Sequence, residues 1–156
     1  MALRVFSGGQ TGVDRAALDA AAAAGLSTGG FCPRGRLAED GTVPDRYPLQ
    51  ETPSPDYAQR TEWNVRDSDA TLILARGALR GGTAFTLEVA RRLGRPALVV
   101  DLSRRPQPDT VHAFCSAHGV RTLNVAGPRE SVAPGIYAEA RAFLEAVFSG
   151  AGPGGR

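Results

Sequence analysis

The sequence predicts a doubly wound, Rossmann-like α/β domain, and three observations point there. Five short apolar stretches alternate with helical segments, the rhythm of a mainly parallel sheet covered by helices on both faces. Four of the five are continuous apolar runs, as strands buried on both faces require. The length of 156 residues suits one domain, assigned to residues 1–148 with a disordered tail over 149–156.

Leu3–Phe6 is a short apolar strand closed by the turn Ser7-Gly8-Gly9-Gln10-Thr11-Gly12. Val13, Ala16, Ala17, Leu18 and Ala21 then recur at helical spacing, and Gly25 ends a helix over 13–24. Ser27–Cys32 is a weaker second strand. Residues 33–55 show no period and many turn formers, and loops of this length inside compact domains are usually functional or disordered. Ser54-Pro55-Asp56 reads as an N-cap, a Pro at N1 and an acid in the first turn of a helix over 55–65. Arg60, Thr61 and Asn64 share one polar face of it. Ala70–Ala75 is a buried strand followed by the turn Gly81-Gly82, with Thr83 as N-cap of a helix ending at Gly94. A strand over 96–101, a helix over 109–118, a strand over 120–125 and an amphipathic helix over 134–148 complete the domain. The favoured strand order is 2-1-3-4-5, which sets the ends of strands one and three, both followed by Gly-Gly turns, side by side. Ligands of such sheets bind at the switch point, beyond the carboxyl ends of the strands.

Composition closes several functions. Eighteen basic against sixteen acidic side chains leave a formal charge of +2, too small a surplus for general nucleic-acid or membrane-surface affinity. Every basic residue is Arg. Without Lys there is no Walker A lysine, no Schiff base and no lysine general base. Guanidinium groups stay charged and grip phosphate in a two-pronged way. Cys32 and Cys115 make neither a disulfide framework nor a zinc ribbon. The N-terminal residues run into the first turn without a signal-type apolar core, and no apolar run reaches the roughly 20 residues of a membrane span. A cytoplasmic protein is expected.

The turn Ser7–Gly12 joins a strand to a helix N-terminus, where free N–H groups and the helix dipole favour an anion. Its glycines at 8, 9 and 12 do not have G-x-G-x-x-G spacing, and no acid ends the second strand to hold a ribose, which argues against NAD. The plainer reading is a tight turn that needs glycine. Gly81, Gly82, Thr83 and Thr86 form a second such junction, so two helix N-termini are expected to converge on one crevice; Thr83 serves equally well as a simple cap. Arg34, Arg36, Arg46 and Arg60 lie in and after the irregular segment, which can fold over the crevice and bring guanidinium groups to an anion. Ion pairs with Glu39, Asp40, Asp45 or Glu51 are the alternative.

Asp14 falls near N2, where stabilising its own helix is the first reading and catalysis the second. Asp67-Ser68-Asp69 suits a turn. His112, Cys115 and His118 advance by about 300° per step on a helix and do not share a face, so no metal is assigned. Cys32 lies beside the crevice, as a ligand contact or a buried thiol.

Together these residues resemble the putative molybdenum carrier family. The resemblance rests on Ser7-Gly8-Gly9-Gln10-Thr11-Gly12-Val13-Asp14-Arg15-Ala16-Ala17-Leu18-Asp19, on Gly30 with Cys32-Pro33-Arg34-Gly35-Arg36, and on Ala38-Glu39-Asp40-Gly41. It continues through Pro44, Arg46-Tyr47-Pro48-Leu49, Arg60-Thr61, Asn64-Val65, Asp67-Ser68-Asp69-Ala70-Thr71, and Gly81-Gly82-Thr83 with Thr86. It covers about residues 3–100. It implies a Rossmann-like fold related to nucleotide-sensing and lysine-decarboxylase-like phosphoribohydrolase proteins, usually homo-oligomeric, with members that bind molybdenum cofactor and hand it on. That ligand is a pterin with a dithiolene-held molybdenum and a phosphate. The related hydrolases carry Pro-Gly-Gly-x-Gly-Thr-x-x-Glu. Arg80–Glu88 keeps the Gly pair and the acid but lacks the Pro and the third Gly, which puts that activity in doubt.

The leading expectation is therefore a non-catalytic carrier of a phosphorylated heterocycle, with molybdenum cofactor as the candidate ligand. Gly8, Gly9, Gln10, Thr11 and Gly12 would take one anionic group and Gly81, Gly82, Thr83 and Thr86 another, with Arg34, Arg36 and Arg60 neutralising charge. A recipient molybdoenzyme follows; nucleic-acid and membrane partners do not. The alternatives are a nucleoside-monophosphate phosphoribohydrolase using Glu88, and a nucleotide-sensing module.

Overall fold

The computed structural model describes residues 3–149; of the tail expected over 149–156, Ser149 instead ends the last helix and residues 150–156 lie outside the described residues. In chain order the strands are β1 (Arg4–Phe6), β2 (Ser27–Gly29), β3 (Phe31–Cys32), β4 (Leu37–Ala38), β5 (Gly41–Thr42), β6 (Gln50–Glu51), β7 (Ala70–Ala75), β8 (Ala97–Asp101) and β9 (Thr122–Ala126). The helices are α1 (Val13–Ala23), α2 (Tyr57–Arg66), α3 (Gly81–Arg92), α4 (Pro108–Ala117) and α5 (Ile136–Ser149). The central sheet has five strands, all parallel, in the order β2-β1-β9-β7-β8. The doubly wound α/β class is as the sequence predicts.

The strand order is not the expected 2-1-3-4-5. The last strand, β9, inserts between β1 and β7, pairing Val5 with Leu123 on one side and Leu72 with Val125 on the other. Burial explains the placement. Thr122, Leu123, Asn124 and Val125 are all buried, as a central strand must be. Val99 of β8 is 42% exposed, as suits an edge.

Val5, Leu72, Leu74, Leu123 and Val125 face α1 and α5 across the main core, which Val111 of α4 joins. Val65 of α2 packs with Val89 and Ala90 of α3 in a separate cluster. The expected second strand breaks at Gly30, whose backbone has φ +123° and lies so close to Ser7 O that a Cβ would collide. Beyond that break β3 leaves the main sheet and pairs with β6, and β4 with β5 forms a small hairpin. The irregular segment thus has structure of its own. Leu18, Cys32, Val43, Tyr47 and Leu49 give it a small core. The third helix is capped one turn earlier than expected: Arg80 is its N-cap residue and Thr83 lies inside its first turn.

Candidate functional site

A cleft of about 700 Å³ lies beyond the carboxyl ends of β1, β9 and β7, three neighbouring strands. That is an ordinary size for a small-molecule site. After β1, Gly8, Gln10 and Asp14 line it; after β7, residues Arg76 and Ala78–Thr83, with Phe85 and Thr86. Arg60, Thr61 and Asn64 form a third wall from the polar face of α2. The segment after β9, Gly127–Arg129 and Val132–Pro134, supplies the fourth.

Seven of the expected site residues therefore meet at one cleft: Gly8, Gln10, Arg60, Gly81, Gly82, Thr83 and Thr86. At α3 the geometry favours an anion. A Cβ placed on Gly81 or Gly82 would meet nothing within 4 Å, so a ligand can come up to the backbone there. The N–H groups of Thr83 and Ala84 turn back to Arg80 O, at 3.1 and 3.2 Å. Those of Gly81 and Gly82 find no acceptor among the described residues, the usual state of first-turn donors. Thr86 donates its hydroxyl to Gly82 O at 2.9 Å, and the buried Thr83 hydroxyl borders the cleft.

The first turn is built differently. Three of its N–H groups are used internally: Gly9 donates to Ser7 Oγ, Gln10 to Asp14 Oδ2 and Thr11 to Gln10 Oε1. Gly12, at φ +78°, lies against Pro128 O and the backbone of Arg129 and Glu130, and Val13 N–H donates to Pro128 O at 3.2 Å. The chain after β9 therefore covers the N-terminus of α1. Gly9 packs toward Val43 and Leu49 rather than into the cleft. Thr11 joins the same closure, its hydroxyl donating to Glu39 and accepting from Glu130 N–H. Glu39 also accepts from Ser131, and these hydrogen bonds hold its carboxyl below the ordinary value.

The arginines divide as well. Arg60 donates to Gly8 O at 2.9 Å and stands 3.6 Å from Asp14 Oδ2. Arg36 does not reach the cleft. Its guanidinium is occupied by the carbonyls of Val43, Pro44, Tyr47 and Leu49, which a turning segment leaves without strand partners. Arg34 is exposed and outside the lining, and Arg46 pairs with Asp19 at 3.1 Å. Glu88 is exposed on α3, away from this cleft.

Sequence reasoning missed other arginines of the lining. Arg76 pairs with Glu139 at 2.7 Å and Arg129 with Glu39 at 3.7 Å, whereas Arg80 has no acidic partner among the described residues. Its position immediately before Gly81-Gly82 was a readable signal. Asn124 and the segment after β9 had none, since their place depends on where β9 enters the sheet. Among the described residues Asp14 is the one carboxylate of the lining. Burial pushes it up from 3.8 to about 6, against the opposing pull of Arg60, the Gln10 N–H and Arg15.

Cys32 is buried in the small apolar core, where burial pushes its thiol up. His112 Nε2 lies 2.7 Å from Val147 O, apart from any metal-type cluster among the described residues. Asp69 accepts from the N–H groups of Arg121 and Thr122, 52 and 53 residues further on, so its side chain ties the start of β7 to the start of β9 rather than fixing a turn of its own. Among the described residues no helix is long and apolar enough to cross a membrane.

Fold and cleft together define a Rossmann-like domain of ligand-binding type. The chain matches the circularly permutated YpsA SLOG family over residues 5–148 and belongs to it. It is also similar to a solved structure from Syntrophus aciditrophicus SB described as a putative molybdenum carrier protein. The two share 44% identity over 94% of each chain, with a TM-score of 0.88. None of the curated proteins matches it.

Proposed function

We propose that the cleft binds a phosphorylated heterocycle and that the protein is a carrier of molybdenum cofactor. The observation that carries this reading is the α3 end of the cleft, where two uncovered glycines adjoin an arginine without an acidic partner among the described residues. Phosphate is the natural occupant of a helix N-terminus beside a guanidinium. The name of the Syntrophus relative supports the cargo. The donor set fits its organic part: Arg80, Gly81 and Gly82 suit the phosphate, and Phe85 and Asn64 border room for a ring. Among the described residues no Cys or His lines the cleft, so these residues would hold the cofactor through its organic part. A recipient molybdoenzyme, a homo-oligomeric state and a cytoplasmic location belong to the same reading.

Native mass spectrometry of the protein purified from cells that make molybdenum cofactor, with elemental analysis alongside, tests it. The expected result is a retained mass matching the cofactor, with molybdenum present. An empty protein that also fails to take up added phosphorylated pterin overturns the carrier reading. A retained nucleoside monophosphate would assign the cleft to nucleotide sensing instead.

A further inference from the structure

The α1 side of the cleft offers a ligand an acceptor. Asp14 is 5% exposed and borders the cleft. Its Oδ2 accepts from Gln10 N–H at 3.2 Å, while Oδ1 has no hydrogen-bond donor among the described residues. The nearest cation, Arg60, directs its Nη1 to Gly8 O and reaches only to 3.6 Å from Oδ2. Oδ1 is not one of the fully enclosed side-chain atoms that lack a partner, so it stays open where Asp14 borders the cleft and can accept from a ligand; once a ligand covers it, leaving it without a donor is costly. The cleft is therefore polarised, with a carboxylate acceptor toward α1 and a cationic helix terminus at α3.

We propose that Asp14 determines ligand specificity, its carboxylate accepting the adjacent N–H groups of a 2-amino-4-oxopyrimidine edge while the ligand's phosphate lies at the N-terminus of α3. This rests on the reading of the cleft as a site for phosphorylated heterocycles. Pterin and guanine both present that edge. Adenine presents a ring acceptor at the corresponding position, which would face the carboxylate lone pair to lone pair. Sites built around such hydrogen bonds discriminate strongly, because the missing partner leaves a buried group unpaired.

Isothermal titration at neutral pH with 6-hydroxymethylpterin phosphate, its lumazine counterpart (oxo in place of the 2-amino group), GMP, AMP and ribose 5-phosphate tests the assignment. The wild type should bind the pterin phosphate at least tenfold more tightly than the lumazine, and GMP at least tenfold more tightly than AMP. Asp14→Asn can still accept from Gln10 N–H, and it should lose both preferences. Equal wild-type affinity for the pterin and lumazine phosphates overturns the role of Asp14 while the phosphate reading stands, and needs no variant to fold. Failure of every phosphorylated probe to bind overturns both. Either ranking of pterin phosphate against GMP supports the assignment and identifies the ring the cleft takes.

Discussion

Truncating Arg36 to Ala removes four hydrogen bonds at once: Nε to Val43 O at 3.1 Å, Nη1 to Leu49 O at 3.2 Å, and Nη2 to Pro44 O and Tyr47 O at 2.8 and 2.9 Å. The side chain is 19% exposed, so water replaces only part of what is lost. At a net worth of about 1 kcal/mol per bond, the loss comes to roughly 3–4 kcal/mol. For a chain of this size that lowers Tm by about 6–15 °C. Arg36 also has φ +53°, a conformation costing an L-residue about 1–2 kcal/mol, so Arg36→Gly should be more stable than Arg36→Ala by about 1 kcal/mol. Thermal melts of the three proteins, with hydrogen exchange of the Val43 amide, read the effect. That amide donates to Arg36 O at 2.7 Å and should exchange faster in Arg36→Ala. An Ala variant melting within 2 °C of wild type (about 0.5 kcal/mol) while losing ligand would refute the argument and return Arg36 to the binding site.

Arg80→Ala should weaken ribose 5-phosphate binding about tenfold with Tm unchanged, because Arg80 is exposed and without an acidic partner among the described residues. Equal affinities in a titration would count against the phosphate position. Gly12→Ala drives a Cβ into Pro128 O at a φ of +78° and should cost more than about 2 kcal/mol, read as a lower urea midpoint. The Asp14 carboxyl, facing Arg60 from α2 and Arg15 from its own helix, keeps its proton to about pH 6 against 3.8 ordinarily. Its contribution to stability is therefore full below about pH 4 and lost as pH rises through about 6, so Asp14→Asn should gain on wild type over that window. Urea midpoints that stay parallel from pH 4 to 7 would contradict this, and carbon-13 titration of Asp14 gives the midpoint directly.

Much of the candidate site was legible locally. Gly8, Gln10, Arg60, Gly81, Gly82, Thr83 and Thr86 meet at the cleft because strand-to-helix junctions collect at one edge of a parallel sheet. Arg36 was not legible. Its type suggested an anion, but its partners are carbonyls 7 to 13 residues away, exposed by a segment whose course no local pattern records. The spacing of Asp14 marks a helix stabiliser in the first turn of α1, whereas its place beside Gly8, Gln10 and Arg60 of α2 is set by tertiary packing.

The apolar runs and their helical spacers determined the α/β class by themselves, since burial on both faces leaves continuous hydrophobic strands little alternative to a covered parallel sheet. They did not determine which strand lies beside which. Placing β9 between β1 and β7 brings residues 127–134 over the end of α1, closes one expected anion site and leaves the other open. Neighbours in a sheet are chosen by packing between residues far apart in sequence. That choice made the cleft polar, with a carboxylate toward α1 and an uncovered helix terminus at α3.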